Sequence, residues 1–83
     1  MKQPTNNIQE ILYTAIKKGS VSLIDFPYLS GFRTRISELR SHIVFKEEAI
    51  KARNKFNREI RYQNHILTDI EKAKSVYNLM TRL

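Results

Sequence analysis

The sequence predicts a small α+β domain, mostly helical, in which a basic β-hairpin lies between helices at the two ends of the chain. Three observations carry this prediction. Both prolines and both glycines fall within the first 31 residues, which divides that part of the chain into short elements. Apolar residues recur at helical spacing near both ends of the sequence. Residues 49–67 instead alternate with a period of two, which favours strands.

The charge balance indicates a polyanionic partner. The chain has 83 residues, enough for one domain, and carries 15 Lys and Arg against 8 Asp and Glu, for a formal net charge of +7. An excess of this size on so small a protein points to nucleic acid or another polyanion. No apolar run approaches the ~18–20 residues that span a bilayer, and polar residues follow Met1 where a secretory signal would be apolar. We therefore expect a cytoplasmic protein without membrane contact.

The composition also argues against catalysis. The chain has no cysteine and two histidines, His42 and His65, and it lacks a glycine-rich phosphate loop. Without clustered nucleophiles, bases or metal ligands there is no catalytic constellation to assemble. The sequence thus predicts a binding protein, not an enzyme, that needs neither a cofactor nor a metal.

The first 30 residues are predicted to form one helix and then shorter elements. A helix over residues 5–18 follows from the apolar stripe Ile8, Ile11, Leu12, Ala15 and Ile16. Asn6 or Asn7 is a suitable N-terminal cap, and Gly19 a suitable C-terminal stop. Val21 and Leu23 fit a very short strand, after which Asp25 can cap a second, short helix with Pro27 in its first turn.

A third helix is predicted over residues 32–41, with Phe32, Ile36, Leu39 and Ile43 as its buried stripe. Thr34 and Ser41 lie opposite this stripe, and Ser37 lies beside them. Arg33 and Arg40 flank the stripe on one side, and Arg35 flanks it on the other. Such a face suits a helix laid in a DNA groove, although the pattern alone favours an ordinary solvated helix, because these are common.

Residues 49–67 are predicted to form a β-hairpin with one apolar face and a basic tip. Its turn falls at residues 57–59, and its cations are Lys51, Arg53, Lys55, Arg58 and Arg61. A long helix is the rival, but it would place Glu59 and Gln63 in its apolar seam, and asparagines disfavour it. Lysines can simply protect a sheet edge, but five cations in eleven positions exceed that need and favour phosphate binding.

The tail is predicted to be a helix that begins with a capping box from Thr68 to Glu71. Its apolar stripe consists of Ile70, Ala73, Val76, Tyr77 and Met80. This stripe either covers the open side of a small core or pairs with its copy in a homodimer, and the small size of the chain leans towards the dimer.

Two stretches resemble a known group of proteins. Residues 31–40 (GFRTRISELR) resemble the third helix of small phage and mobile-element helix-turn-helix proteins, and residues 54–62 (NKFNREIRY) are similar to the wing of that group. The best matches are Arg35, Ile36, Leu39 and Arg40 in the helix and Asn54, Lys55, Phe56, Arg58 and Arg61 in the wing. Asn57 stands where the group has glycine, and asparagine tolerates the positive φ of a tight turn.

The resemblance implies a winged helix-turn-helix at residues 1–67, with three N-terminal helices and a hairpin wing, followed by an added C-terminal helix at residues 68–83. The implied function is sequence-dependent binding of double-stranded DNA by a phage or mobile-element regulator or accessory factor. The DNA-contacting residues would be Arg33, Thr34, Arg35, Ser37, Arg40, Ser41, Lys55, Asn57, Arg58 and Arg61. The alternative is a small basic inhibitor that binds a host protein, such as a nucleic-acid-processing enzyme.

Overall fold

The computed structural model describes residues 2–27, 29–53 and 55–82, which form three α-helices and a three-stranded antiparallel sheet. The helices are α1 (Asn7–Lys18), α2 (Phe32–Arg40) and α3 (Ile70–Met80). The strands are β1 (Ser20–Ser22), β2 (Phe45–Arg53) and β3 (Glu59–Leu67), and they lie in the order β1-β3-β2. Strand β3 is therefore the central strand, and it pairs antiparallel with both neighbours.

Helix α1 confirms the predicted first helix, with both of its ends fixed by local chemistry. The backbone N–H of Gln9 donates to Oδ1 of Asn6 at 3.0 Å, so Asn6 is the N-terminal cap. Gly19 takes φ +85° after the last turn and donates to the carbonyl of Ala15 at 2.7 Å. This left-handed conformation is open to glycine at little cost, so the helix ends where the sequence predicts.

The predicted winged helix-turn-helix with three N-terminal helices is wrong, because the residues described between α1 and α2 form no second α-helix. The elements run helix, strand, helix, strand, strand, helix, and residues Leu23–Asp25 form a single 3₁₀ turn. Pro27 gives the physical reason. A proline disfavours helical backbone angles in the residue before it, and Phe26 lies outside the helical region at φ −135°, ψ 64°. The segment therefore cannot extend into a helix through Pro27.

The predicted short strand forms at Ser20–Ser22, without Leu23, which lies in the 3₁₀ turn. It is held by a partner far away in the sequence. Residues Ser20, Val21 and Ser22 pair with Ile66, His65 and Asn64 of β3. The carboxylate of Asp25 accepts from the backbone N–H of Ser22 at 2.9 Å, which fixes the exit from the strand.

The predicted hairpin is confirmed, which excludes the single long helix. Strands β2 and β3 pair from Phe45–Leu67 at the base to Arg53–Glu59 at the far end. Asn57 in the connecting loop takes φ 62°, the one positive φ outside glycine among the described residues. Asparagine tolerates this conformation better than most residues. Asn54, which belongs to the resemblance, lies outside the described residues.

The core lies between the three helices and one face of the sheet. Fully buried side chains come from α1, α2, α3 and β1, and include Leu12, Leu39, Tyr77 and Val21. No described residue in the far half of the hairpin is buried, so this half projects beyond the core, and the molecule measures 44 Å along its longest axis. The described residues of this half are exposed or only partly buried on both faces.

Helix α3 forms as predicted but begins differently. The cap is Asp69, whose side chain accepts from the backbone N–H of Lys72 at 3.0 Å. Thr68 is not the cap, because its hydroxyl donates to the carbonyl of Val44 instead. No described helix is long and apolar enough to cross a membrane.

The predicted apolar stripe of α3 packs largely within the chain. Ala73 and Tyr77 are buried, Val76 and Met80 pack against the core, and Ile70 remains 42 % exposed. Tyr77 also donates from its hydroxyl to the carbonyl of Lys2 at 2.6 Å. These contacts match the core-covering alternative, while a homodimer through this helix stays a prediction.

A matched pair of substitutions tests this packing. Leu12 is fully buried in α1, and Leu79 in α3 is 63 % exposed. Leu12→Ala leaves a cavity and is expected to lower the free energy of unfolding by about 2–5 kcal/mol. Leu79→Ala changes the same side chain at the surface and is expected to cost less than about 0.5 kcal/mol. Urea unfolding measures both, and equal losses would contradict the described core.

Candidate nucleic-acid interface

The two faces of the hairpin carry different side chains, because residues alternate between the faces along each strand. The inner face packs on the core at its base, where Phe45 lies opposite Leu67 and Glu47 lies opposite His65. Beyond the core the inner face carries Ala49, Lys51, Arg53, Glu59, Arg61 and Gln63. The outer face carries Lys46, Glu48, Ile50, Ala52, Ile60, Tyr62, Asn64 and Ile66. Three of the four cations in these two strands therefore lie on the inner face.

A cleft of 290 Å³ lies between α2 and the inner face of the hairpin. Helix α2 contributes Arg33, Ser37 and Arg40 to its walls, and strand β3 contributes Arg61 and His65. Arg33 has no ion-pair partner among the residues that the structure describes. Cations from two separate elements thus converge on one concave surface.

The pairing of Lys51 with Arg61 brings two positive charges together. The two residues are directly opposite in the antiparallel register, where Cβ atoms lie about 4.5–5.5 Å apart. Like charges in such positions destabilise a hairpin. Arg61 is partly compensated by Glu59, whose Oε1 lies 3.3 Å from Nε of Arg61. This pairing of like charges does not stabilise the fold, and a bound anion would reduce the repulsion between them.

The floor of the cleft holds a buried polar group without a partner. Glu47 of β2 is ion-paired with Arg40 of α2, and its Oε1 lies 3.9 Å from Nδ1 of His65. That distance is too long for a hydrogen bond, and no described residue bonds this nitrogen, although it is buried. Nearly all buried polar groups in proteins have a partner, so His65 is an exception that calls for a ligand or a rearrangement of Glu47.

Burial lowers the pKa of His65 below its ordinary value of 6.5, and the nearby Arg40 guanidinium lowers this pKa further. The imidazole packs between aromatic rings, with centroid distances of 6.0 Å to Phe32 and 6.1 Å to Phe45. Desolvation there disfavours the charged form. His65 is therefore neutral at pH 7, with one ring nitrogen able to accept and the other able to donate a hydrogen bond.

The predicted DNA-contacting residues of α2 separate onto two sides of the helix. Arg33, Ser37 and Arg40 line the cleft, as described above. Arg35 lies on the other side, where its Nη1 binds both carboxylate oxygens of Glu38 at 2.9 and 3.0 Å. Ser41 lines a second groove, which Val76 and Met80 of α3 also line. Thr34 is exposed, and no described interaction links it to the cleft.

The remaining predicted residues lie at the far end of the hairpin. Lys55, Asn57 and Arg58 are all exposed in the connecting loop. Oδ1 of Asn57 accepts from Nη1 of Arg53 at 3.0 Å, which ties the loop to the end of β2. Arg61 joins this basic end to the cleft, since it belongs to the inner face. The structure thus brings Arg33, Ser37, Arg40 and Arg61 together and holds Lys55, Asn57 and Arg58 further out.

Sequence reasoning missed the inner residues of the site. Lys51 and Arg53 were expected as hairpin cations but not as contacts, and Glu47 and His65 were not expected at all. The period of two was a usable signal, because it places Glu47, Lys51, Arg61 and His65 on one face once the register is known. The register depends on the loop length, which the sequence pattern leaves open.

Comparisons with protein-family models, with curated proteins and with solved structures gave no match. The proposed function is therefore based on the geometry and the charges of this chain. The resemblance to phage and mobile-element proteins stays a prediction.

The lowered pKa of His65 predicts a specific pH dependence of stability. The unfolded chain holds the proton more tightly than the native state between the native pKa and about 6.5. The contribution is therefore fully present above pH 6.5 and is lost as the pH falls through the native pKa. Urea unfolding between about pH 7.5 and 5 is expected to show this decrease.

Two single substitutions separate His65 from other groups in that pH range. His65→Gln is expected to remove the decrease, because the titrating group is gone. His42→Gln is expected to retain it, because His42 is exposed. A pH dependence that persists unchanged in His65→Gln would contradict the assignment.

Proposed function

We propose that this protein binds double-stranded DNA in a sequence-dependent manner, as a small cytoplasmic regulator or accessory factor of a phage or mobile element. The observation that carries the proposal is the convergence of Arg33, Arg40 and Arg61 on one cleft, with Lys51 and Arg53 on the same face of the hairpin as Arg61; we call these five residues the basic surface. These residues come from α2 and from one face of the hairpin. Arginine and lysine are the usual ligands of the phosphate backbone.

The distribution of acidic residues supports the same surface. Within the basic surface, Glu47 and Glu59 are each engaged by an arginine of the chain. Lys51 has no ion-pair partner among the described residues, and it faces Arg61. A phosphate backbone would compensate both cations at once, whereas in the free protein Lys51 is left to solvent and counterions and Arg61 is partly compensated by Glu59.

The placement of the aromatic residues favours a duplex over an extended single strand. Single-strand binding surfaces stack successive bases on exposed aromatic side chains. Tyr13 and Tyr77 instead contact each other with ring centroids 5.7 Å apart, and Tyr77 is buried. Tyr62 is only partly exposed and lines the cleft, whereas Tyr13 and Tyr77 lie elsewhere, so the described tyrosines are not grouped on the basic surface. Phosphate contacts therefore supply most of the affinity.

Helix α2 and the hairpin are suited to different parts of the duplex. Arg33 is exposed beside Ser37 on α2, and a guanidinium in this position can form a bidentate contact with guanine. Lys55 and Arg58 extend the hairpin past the core and are placed for phosphates further along the duplex. We propose that α2 supplies the sequence preference and that the hairpin supplies non-specific affinity.

The salt dependence of binding tests the basic surface. The double variant Lys51→Gln/Arg61→Gln removes two charges, and the control Lys72→Gln/Lys74→Gln removes two from exposed positions of α3. The first is expected to weaken binding to a random-sequence duplex at least about tenfold and to reduce the log–log salt slope by about two units. The control is expected to retain most of the affinity and most of the salt slope. Fluorescence anisotropy across ~50–200 mM salt measures them.

Two outcomes of this experiment would contradict the proposal. Equal losses in both double variants would mean that net charge, not the basic surface, attracts the duplex. Absence of saturable binding at the lowest salt would mean that the basic surface serves another partner. Circular dichroism of each variant verifies that the fold is retained.

The role of Arg33 has a separate test. A duplex selected from a random library by the full-length protein is compared with a random-sequence duplex. Arg33→Gln is expected to reduce the ratio of the two affinities about tenfold, because one bidentate guanine contact contributes about 1–3 kcal/mol of discrimination. Lys55→Gln serves as the control and is expected to weaken both duplexes alike. An unchanged ratio in Arg33→Gln would exclude this residue as a reader of sequence.

One observation favours a second candidate function, the binding of a host protein. The outer face of the hairpin is apolar, with Ile50, Ala52, Ile60, Tyr62 and Ile66 all partly exposed. Apolar faces of this kind mark protein interaction sites. If no duplex binding is found, a pull-down with the full chain and with Ile50→Lys/Ile60→Lys tests this inhibitor function, which requires a specific partner that the variant no longer retains.

A further inference from the structure

We infer that the cleft between α2 and the hairpin is a binding site for a single nucleotide unit, a base with its sugar and phosphate. The inference deepens the proposed function and rests on it for the source of the nucleotide, either an unpaired position in DNA or a free mononucleotide. It is carried by the size of the cleft, by the separation of its apolar and cationic parts, and by the partnerless nitrogen of His65.

The size and lining of the cleft fit a small ligand with one flat apolar end. Its volume of 290 Å³ is at the lower end of the range for small-molecule sites. Leu23 and Phe32 line it, and Leu23 is 46 % exposed although it belongs to a turn beside the core. The ring of Phe32 lies 6.0 Å from that of His65 and 6.2 Å from that of Phe26. Leu23, Phe32 and Ile36 form the apolar part of the cleft, of a kind that accommodates a base.

The opposite part of the cleft is cationic. Arg33 and Arg40 approach it from α2, and Arg61 approaches it from β3. Two arginines on different elements can bind the same phosphate from two sides, because each planar guanidinium can donate two parallel hydrogen bonds to phosphate oxygens. A ligand that is apolar at one end and anionic at the other therefore matches the lining, whereas an uncharged ligand leaves Arg33 without a counterion among the described residues.

His65 supplies an independent sign that the cleft is incomplete without a ligand. Its Nδ1 is buried and unbonded among the described residues, 3.9 Å from Oε1 of Glu47. Glu47 is held back by its ion pair with Arg40. A phosphate that binds Arg40 would compete for that guanidinium and release the carboxylate. Glu47 could then approach and accept a hydrogen bond from Nδ1–H of His65, which completes the pairing of both groups.

The test follows binding of adenosine monophosphate, adenosine and inorganic phosphate to the full-length protein by NMR. The probes are the imidazole nitrogens of His65 and the methyl groups of Leu23. Adenosine monophosphate is expected to produce saturable shifts at both residues, with an affinity at least tenfold higher than that of adenosine or phosphate. No saturable shift at millimolar nucleotide, or equal affinity for phosphate alone, would overturn the inference.

Matched variants assign the two ends of the ligand. Leu23→Ala is expected to reduce the affinity for adenosine monophosphate at least fivefold, and Leu79→Ala, at an exposed position in the second groove, is expected to leave it unchanged. Arg33→Gln is expected to weaken the binding of adenosine monophosphate but not the binding of adenosine. If Leu23→Ala and Leu79→Ala behave alike, the ligand is bound elsewhere and the inference fails.

Two duplexes identify the source of the nucleotide and separate this inference from the proposed function. A duplex with one unpaired nucleotide that binds at least fivefold better than its fully paired counterpart, and competes with adenosine monophosphate, identifies DNA as the source. Equal affinity for both duplexes, together with saturable mononucleotide binding, identifies the free nucleotide. Mononucleotide binding without any duplex binding refutes the proposed function alone, and duplex binding without nucleotide shifts refutes the cleft alone.

Discussion

The pairing of β3 with strands on both sides is the constraint on which the rest of the structure depends. On one side β3 holds three residues of β1, and on the other it holds the whole length of β2. Leu67, at the end of β3, also donates from its backbone to the carbonyl of Gly19, the residue that terminates α1. One strand therefore fixes the exit from α1, the orientation of the hairpin and the start of the last helix. The position of every cation in the basic surface follows from this register.

The same pairing explains which parts of the fold could be predicted from the sequence. Helix α1 and the hairpin carry their signals locally, in a cap, a terminal glycine and an alternation, so both were predicted correctly. The region after α1 was predicted only in part: a short strand was expected from Val21, but its pairing with Ile66, His65 and Asn64 far along the chain could not be predicted from the local pattern. A repeat of apolar residues every three or four positions, which would indicate a helix, cannot be recognised in so short a segment. The effect of Pro27 on Phe26 removed the expected second helix.

The candidate site was predictable to a smaller extent, because it is made of contacts between elements. Helical periodicity located Arg33 and Arg40 on the same side of α2, and the structure places both in the cleft. Nothing in the local pattern distinguishes Arg40, which pairs with Glu47 of a neighbouring strand, from Arg35, which pairs with Glu38 in its own helix. The distinction needs the relative position of α2 and β2. The place of His65 in the site could not be predicted for the same reason, since its neighbours belong to three different elements.

The length of the hairpin beyond the core has a mechanical consequence. Its far half is stabilised by the hydrogen bonds and cross-strand contacts of the ladder, with no buried residue to anchor it. Such a ribbon bends and twists at low cost, while the base, where Phe45 and Leu67 pack on the core, stays fixed. The protein therefore combines a rigid platform with a compliant arm. An arm of this kind can follow a curved surface without any change in the domain that carries it, and its reach is set by the number of strand residues alone.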